Sequence, residues 1–477
     1  MKDEILTEVT RRNMFIQPDA LDLLESSGKD IVFVNTLLSS VSSNKFLITK
    51  KDVEDFLNGD KGLMTSEKVI PNKVNPKGDF VVLKATDITG NSTCEAKVED
   101  FVKYFKSRYE ILAGIIKDNN PAFEHSLPIA KARKLDRDVC LIGMVYEVSV
   151  TKNGHKIIQL EDHNDRCSAF INKDSPLMKD PVITDEVIGV KGKFSPSGLF
   201  IVDKIVRPSV PKNHQWIPSD TSSSIAFLSD IHIGSKEFLQ SGWDNMMHWL
   251  KHNAERQGIN YLVLSGDVVD GIGAYPGQED DLKVLDIYEQ YDILADYLKD
   301  VPDHMQILMH PGNHDACRLA EPQPALKDIY TKKFDSSINI TGNPISIKVE
   351  DRVVTSYHGK SFDDWIGAIH GASYEKPLEI MEYMVEKRHL APIYGKKNAL
   401  APESKDYLAL QPLPDILVTG HIHNVGVEDY KGIKLIQASS YQAQTDYQKQ
   451  HNFNPVPCRM PVVHLGTGRI TLKNFMK

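Results

Sequence analysis

The chain has 477 residues and a mass of 53.6 kDa, more than one ordinary hydrophobic core can organise, so two or three domains are expected. Hydrophobic residues make up 41% of it and charged residues 25%, and no apolar run approaches the roughly 18 residues that a membrane span needs. The net charge of −9 excludes a protein that coats nucleic acid through its overall charge, so any contact with DNA has to be local.

The first residues and the cysteines indicate a cytoplasmic protein with no membrane partner. The start, MKDEILTEVTRR, is charged and shows neither the apolar core of a secretory signal nor a small-residue cleavage site. The five cysteines are widely scattered without a CxxC pair, which favours isolated reduced thiols over a zinc knuckle or a disulfide framework.

The N-terminal third is predicted to contain a small helical domain, a linker and a helical connection. Residues 1–57 form the helical domain, in which Pro18 opens a helix from its first turn. Residues 58–99 are predicted as a linker, because their first part mixes Gly, Pro, Asn and Lys without apolar periodicity. Residues 100–137 begin with helical spacing of apolar side chains and form a helical connection.

Residues 138–208 are predicted to form a small β-barrel of the OB type. Five short β-rich runs are present, and an Asn-Gly turn at Asn153 and Gly154 joins two of them as in a hairpin. Barrels of this type often hold single-stranded nucleic acid on aromatic platforms, but aromatic residues are few in this stretch. Contact with another subunit and contact with DNA therefore both stay open.

The largest block, residues 224–477, alternates apolar strands with amphipathic helices, which is typical of an α/β domain. Ligand-type side chains follow five of its strands directly, and functional sites assemble at the carboxyl ends of strands in α/β sheets. A lone Asp-x-His is more often a capped turn than a ligand pair, but five such strand ends in series predict one polar site. The residues are Asp230, His232, Asp267, Asn313, His314, His358, His421 and His423.

These residue types suit a centre with two metal ions. A carboxylate can bridge two ions, and Asp267 lies in the middle of the series. Imidazoles and an amide carbonyl complete the ligand shells without excess negative charge, so the site can still attract a phosphodiester. Two ions about 3.5–4 Å apart can clamp a phosphate and activate water, which predicts a hydrolase.

The motif series resembles that of the calcineurin-like metallophosphoesterases. The resemblance implies that the residue after Asn313, His314, contacts the scissile phosphate or protonates the leaving group. It also implies two ligand sets. The first consists of Asp230, His232, Asp267 and His423, and the second of Asp267, Asn313, His358 and His421.

Narrower stretches, among them GDVVDGIGAYPGQ, PGNHDACR and YHGKSFDDW, resemble the small subunits of archaeal family D DNA polymerases over roughly residues 95–477. This resemblance implies a 3′→5′ proofreading exonuclease that acts on single-stranded or mispaired DNA 3′ ends. It implies the large catalytic subunit and DNA as partners. It also implies two divalent metal ions, with Mn²⁺ expected and Fe, Zn or Mg as alternatives.

Asp270 marks a departure from other branches of the superfamily. Protein phosphatases tend to have Arg where Gly271 follows Asp270 here, so a serine/threonine phosphatase is disfavoured. The double-strand-break nuclease of the superfamily usually has His at the position of Asp270. Asp270 is therefore predicted either to orient His314 as a carboxylate–imidazole pair in catalysis or to cap the loop structurally.

Five further side chains are candidates for DNA contact, each with a structural alternative. Lys387, Arg388, Lys396 and Lys397 form a local basic patch, which could meet the DNA backbone or be a solvated helix end. Trp365 could stack on an unpaired base or pack in the core.

Two other functions compete with the nuclease. The accessory subunits of eukaryotic replicative polymerases resemble this fold but have lost the metal ligands, which would make the chain a non-catalytic scaffold. All the ligand types are retained here, which favours catalysis. A free-standing phosphodiesterase would give no reason for the segments that precede residue 224.

Overall fold

The computed structural model of the chain describes residues 2, 5, 9, 15–26, 47–50, 53, 80–450 and 453–476. It forms two compact units, Met1–Asn75 and Pro76–Lys477.

In the first unit, strands β1 (Phe15–Ile16) and β2 (Leu47–Ile48) pair in parallel, and helix α1 (Pro18–Ser26) follows β1. Leu21 and Leu24 of the helix are buried against Ile48 of β2. A strand pair thus accompanies the helix in a segment for which only helix was predicted. The linker predicted from residue 58 lies outside the described residues up to residue 79.

The second unit carries the remaining strands and helices. Its strands are β3 (Phe80–Val82), β4 (Val139–Val150), β5 (Lys156–Glu161), β6 (Arg166–Ile171), β7 (Val187–Phe194), β8 (Phe200–Val206), β9 (Ser224–Leu228), β10 (Ile259–Ser265), β11 (Gln306–His310), β12 (Asn339–Ile340), β13 (Ile345–Val349), β14 (Arg352–Tyr357), β15 (Ile416–Thr419), β16 (Gly426–Tyr430), β17 (Ile433–Gln437), β18 (Arg459–His464) and β19 (Ile470–Asn474). Its helices are α2 (Val98–Asn119), α3 (Ile129–Ala132), α4 (Gln240–Asn253), α5 (Ile287–Leu298), α6 (Asp328–Thr331), α7 (Phe362–Ala368), α8 (Pro377–Lys387) and α9 (Asp446–Gln450).

Strands β4 to β8 close into a barrel in the order β4-β5-β6-β8-β7. Neighbouring strands are antiparallel except β6 and β8, which run parallel. Helix α2 packs against the barrel through Leu112 and Ile116, which contact Ile142 and Val187. The helix predicted from residue 100 is this one.

Two six-stranded sheets face each other in the rest of the unit. Their strand orders are β12-β11-β10-β9-β18-β19 and β16-β17-β15-β14-β13-β3. Helices α4 and α5 pack on the outer face of the first sheet, and α7 and α8 on the outer face of the second. The architecture is a four-layer α/β sandwich with one core between the sheets and one under each helical layer.

Strand β9 shows why these strands read as continuous apolar runs. Ile225 and Phe227 point between the sheets, where they meet Val418 of β15. Leu228 points the other way, into the core under α4, where Trp243 is buried. Because successive side chains alternate between two buried faces, every position of the strand is apolar or small.

Strand β3 corrects the predicted extent of the linker. Phe80–Val82 pairs antiparallel with β13 and forms an edge of the second sheet. The strand is only three residues long and lies far in sequence from its partner, so no local pattern identifies it.

The parallel strands bring five carboxyl ends to one region of the sandwich. Strands β9, β10 and β11 are parallel neighbours in the first sheet, and β14 and β15 are parallel neighbours in the second. Each is followed within three residues by a ligand-type side chain. Among the described residues, no helix is long and apolar enough to cross a membrane.

Candidate metal centre

All seven side chains predicted as metal ligands lie together at these strand ends. Two groups of ligand atoms each lie within 4.8 Å of one another: Asp230 with His232 and His423, and Asp267 with His358 and His421. Asn313 joins the second group, because its Oδ1 is 3.0 Å from Nε2 of His358.

Five of the seven residues have a left-handed backbone. The φ angles are 51° at Asp230, 55° at His232, 49° at Asp267, 70° at His421 and 55° at His423. This conformation costs of order 1–3 kcal/mol for a residue other than glycine. Main-chain hydrogen bonds hold it in place; for example, the His232 N–H donates to the carbonyl of Asp267 at 3.1 Å. Strain concentrated at one place is a mark of functional sites.

The first group surrounds a buried carboxylate oxygen. Asp230 Oδ1 lies 3.3 Å from His423 Nε2 and 3.9 Å from His232 Nε2, and these two nitrogens are 3.0 Å apart. Asp230 Oδ1 has no hydrogen-bond partner among the described residues, whereas Oδ2 accepts the His421 N–H at 2.9 Å. Burial of a carboxylate oxygen that accepts no hydrogen bond costs free energy. One carboxylate and two imidazoles that converge in this way fit a divalent cation.

The second group is fixed by the backbone around it. His358 Nδ1 lies 3.0 Å from the carbonyl oxygen of Ser265. A carbonyl only accepts, so Nδ1 donates and Nε2 is directed toward Asp267 Oδ2, 3.2 Å away. The other oxygen of Asp267 accepts the His314 N–H at 2.8 Å.

Asp267 lies between the two groups. Its Oδ2 is 3.2 Å from His358 Nε2 and 4.0 Å from His232 Nε2, so this oxygen faces a ring nitrogen of each group. Burial opposes a positive charge on His358, but the Asp267 carboxylate outweighs burial and raises the pKa of His358 to about 10. Metal ions bind deprotonated ligands, so loading of this group is expected to release a proton.

Other charges in the centre favour ligand forms. Burial opposes ionisation of Asp230, but His423 outweighs it and lowers the pKa of Asp230 to about 2. Burial, followed by the positive charge of Lys360, lowers the pKa of His421 to about 3, and burial also lowers the pKa of His232. An ionised carboxylate and neutral imidazoles are the forms that coordinate metal ions.

The carboxylate of Asp270 was predicted either to orient His314 or to cap the loop, and it is not hydrogen-bonded to the His314 ring. Asp270 Oδ1 is 2.8 Å from Nδ1 of His232 but 3.9 Å from Nδ1 of His314. His314 Nδ1 instead donates to the main-chain carbonyl of Asp270 at 2.8 Å. The Asp270 carboxylate therefore orients His232, as outer carboxylates do for ligating histidines. The side chain of His314 is 19% exposed, so it retains access to solvent.

Sequence reasoning missed three glutamines around the centre. Gln278 Nε2 donates to the carbonyl of Asp270 at 2.8 Å, and Gln442 Nε2 donates to the Asp270 carboxylate at 3.2 Å. The amide nitrogen of Gln448 lies 3.0 Å from Nδ1 of His423. Gln442 and Gln448 belong to an amide-rich stretch, QASSYQAQTDYQKQ, and that composition was the available signal.

Two of the basic residues predicted to contact DNA are buried, which corrects the prediction. Lys387 Nζ donates to the carboxylate of Glu186 at 2.7 Å, and Arg388 Nε donates to the carbonyl of Leu410 at 2.8 Å. The two residues are 2% and 4% exposed. Side chains held by these internal bonds are not available to a DNA backbone.

Trp365 is also corrected, and the remaining two lysines are at the surface. The indole of Trp365 is fully buried and donates to the carbonyl of Leu390 at 2.9 Å, which makes it a core residue. Lys396 and Lys397 are exposed, so DNA contact stays a proposal for these two alone.

Comparison with known proteins identifies the family. The family model for the B-type accessory subunit of DNA polymerases alpha and epsilon matches residues 225–425. The chain is 39% identical to the DNA polymerase II small subunit of Archaeoglobus fulgidus, over 97% of this chain and 96% of that one. It is 35% identical to the DNA polymerase II small subunit of Methanothermobacter thermautotrophicus, over 98% and 99% of the two chains.

Likeness to solved structures is weaker. An archaeal phosphodiesterase matches with 12% identity and a TM-score of 0.27, over 52% of this chain and 98% of that one, too low to bear on function. The two small subunits named above, by contrast, match this chain along nearly their whole length. The chain therefore belongs to the family of archaeal DNA polymerase II small subunits, the small subunits of family D DNA polymerases that its motifs resemble.

Proposed function

We propose that this chain is the 3′→5′ proofreading exonuclease of an archaeal family D DNA polymerase and hydrolyses the terminal phosphodiester of single-stranded or mispaired 3′ ends. The observation that carries the proposal is the convergence of all seven ligand-type side chains into two neighbouring groups, the first of which contains the buried Oδ1 of Asp230, an atom without a hydrogen-bond partner among the described residues. A purely structural subunit would gain nothing from a strained backbone and a buried, unpaired carboxylate oxygen.

The donor set fits two divalent ions, with Mn²⁺ as the expected metal and Fe, Zn or Mg as alternatives. When bound, the ions would clamp the scissile phosphate, lower the pKa of the attacking water and offset the charge that develops on the phosphate. Asp267 would be the ligand that the two ions share. The first ion would be held by Asp230, His232, Asp267 and His423, and the second by Asp267, Asn313, His358 and His421.

His314 is the proposed general acid. The Nδ1 atom of His314 carries a hydrogen, because it donates to the main-chain carbonyl oxygen of Asp270. When Nε2 is also protonated, the ring can give that second proton to a leaving group. As a water oxygen bonds to phosphorus, that water releases one proton to the solvent, the bond from phosphorus to the 3′-oxygen breaks, and the His314 proton goes to that 3′-oxygen. The products are a shortened strand with a 3′-hydroxyl and a nucleoside 5′-monophosphate.

The proposed partners are the large catalytic subunit and DNA, in the cytoplasm. The names of the relatives denote a small subunit, which supports a large one as partner. The strand order of the barrel, with its third and fifth strands parallel, supports an OB-type fold. The barrel and the outer face of the catalytic domain are the surfaces we propose for the large subunit.

The test is cleavage of 5′-labelled single-stranded DNA by the purified chain with Mn²⁺ or with EDTA. We expect a ladder that shortens from the 3′ end in Mn²⁺ alone, and a loss of about 10²–10⁴-fold in single-turnover rate for His314→Ala. Bound Mn²⁺ and melting temperature should match the wild type in this variant, because His314 is not a ligand. Absence of Mn²⁺-dependent cleavage by the wild type would refute the nuclease, and unchanged cleavage by His314→Ala would remove His314 from the reaction.

A further inference from the structure

One aromatic side chain lies beside the catalytic centre without a role in metal binding. Tyr275 is 37% exposed, and its ring centroid is 6.4 Å from that of His314, with the two rings inclined at 66°. Two other half-exposed tyrosines of the second unit contact aromatic neighbours outside the two ligand groups. Tyr288 stacks on Tyr330, and Tyr394 packs edge-on against Phe105.

The loop that carries Tyr275 is tied to the centre. Ala274 N–H donates to Oε1 of the buried Gln278 at 2.8 Å, and Nε2 of Gln278 donates to the carbonyl of Asp270 at 2.8 Å. The tyrosine hydroxyl donates to Asp281 Oδ2 at 2.7 Å. These bonds fix the ring, so little rotational freedom would be lost when a ligand stacks on it.

Gly271 explains how this loop approaches His314. Its φ is +73°, and a Cβ at this position would lie 2.0 Å from the carbonyl oxygen of His314. Only glycine permits this contact. Because residue 271 has no side chain, the loop can approach the main chain of His314 closely. The following residues, including Tyr275, therefore lie beside His314.

We propose that Tyr275 is a base-stacking residue that receives the nucleobase of the penultimate nucleotide of the DNA 3′ end. This inference rests on the proposed exonuclease. His314 protonates the departing 3′-oxygen, which belongs to the penultimate nucleotide, and Tyr275 is on the His314 side of the centre. Stacking on an aromatic ring is tolerant of sequence, because every base has a π face, and a proofreading enzyme has to accept all four bases.

The experiment measures coupling between this ring and one base. The second-order rate constant for cleavage under single-turnover conditions is measured for the wild type, Tyr275→Ala and Tyr275→Phe. The substrates are intact DNA, DNA with an abasic penultimate nucleotide and DNA with an abasic terminal nucleotide. Stacking is worth a factor of about 5- to 150-fold, so Tyr275→Ala should lose that factor on intact DNA. The wild type should lose the same factor on the abasic strand, and Tyr275→Ala should lose nothing more. Tyr275→Phe retains the ring and should restore most of the activity.

The controls separate this inference from the proposed function. Tyr288→Ala removes a tyrosine of similar exposure that stacks on Tyr330 instead of lying beside His314, and it should leave all rates unchanged. If the wild type cleaves DNA but the losses from Tyr275→Ala and from the abasic nucleotide simply multiply, the stacking role is overturned and the exonuclease stands. Coupling at the terminal nucleotide instead of the penultimate one would also overturn the assignment. No cleavage by the wild type would overturn both proposals.

Discussion

Two buried clusters of charged side chains in the second unit differ in whether the protein satisfies every polar atom. In the cluster around Arg108, the guanidinium donates to Asp406 at 2.7 Å, to the Tyr104 hydroxyl at 3.0 Å and to the carbonyl of Pro392 at 2.5 Å. The second oxygen of Asp406 accepts the Leu408 N–H at 3.0 Å. This cluster joins α2 to the catalytic domain and is complete in itself.

The candidate metal centre, by contrast, contains a buried polar atom that the described residues do not satisfy. Asp230 Oδ1 is buried without a hydrogen-bond partner among the described residues, and the Nε2 atoms of His232 and His423 face each other at 3.0 Å. Each cluster contains a buried carboxylate beside a buried histidine, and in the Arg108 cluster these are Asp406 and His389, 2.8 Å apart, so residue type alone does not separate structure from function. Completeness separates these two clusters: the Arg108 cluster needs no further partner, whereas the partnerless Oδ1 of Asp230 and the imidazoles that converge beside it fit a cation.

The largest expected effect comes from removing the shared ligand. Asp267→Asn should reduce cleavage more than about 10³-fold, because the bridging charge is lost from both proposed metal sites at once. Mn²⁺ should raise the melting temperature of the wild type but not that of the variant, since only ligands of the folded state convert binding into stability. The control is Asp244→Asn on the exposed face of α4. Full activity of Asp267→Asn in Mn²⁺ would contradict the two-metal assignment.

Breaking the complete cluster should change stability and not metal binding. Arg108→Met leaves the buried Asp406 carboxylate without one of its two charged partners, Arg108 and His389, which costs about 3–5 kcal/mol in the free energy of unfolding. Urea titration measures the loss. Arg166→Met is the matched control, since the Arg166 side chain is 56% exposed in its pair with Glu161 and its loss should change stability little. A shift in Mn²⁺ affinity for Arg108→Met would show that the two clusters are coupled.

The smallest expected effect is a pH dependence at the contact between barrel and catalytic domain. Burial opposes the charge on Glu186, but Arg207 and Lys387 outweigh it, so the pKa of Glu186 is lowered from 4.5. A lowered folded-state pKa contributes stability above the unfolded value, and this is lost as the pH falls through the folded one. Stability of the wild type should therefore fall more steeply below pH 4.5 than that of Glu186→Gln. Urea titrations at several pH values check this, and parallel curves would contradict it.

The convergence of the seven candidate ligands was predictable because each of five apolar strands is followed by at least one of them. Strand order and direction then determine that residues as distant as Asp230 and His423 meet, and both the apolar runs and the motifs are local features of the sequence. The barrel was predictable for the same reason, since its strands are consecutive and one pair is joined by an Asn-Gly turn.

What could not be predicted depends on partners that are distant in sequence. Lys387 looks like a surface lysine at a helix end, and only the docking of the barrel supplies Glu186 and buries the pair. Asp270 is similarly distant in sequence from His232 and from His314, by 38 and 44 residues, and the direction of its carboxylate follows from packing with Gln442. Charge and aromatic character indicate what a side chain can bind, whereas tertiary packing determines whether it is exposed.

Strand β3 determines where the catalytic domain can be cut. A shortened chain that begins at α2 would keep every proposed metal ligand but would lose Phe80–Val82, the strand that covers one edge of the second sheet. The main-chain donors and acceptors of β13 would then face solvent, and an uncovered sheet edge is a template for aggregation. The strand before the barrel thus covers an edge of the α/β sandwich, and a fragment that keeps this edge covered has to include Phe80–Val82.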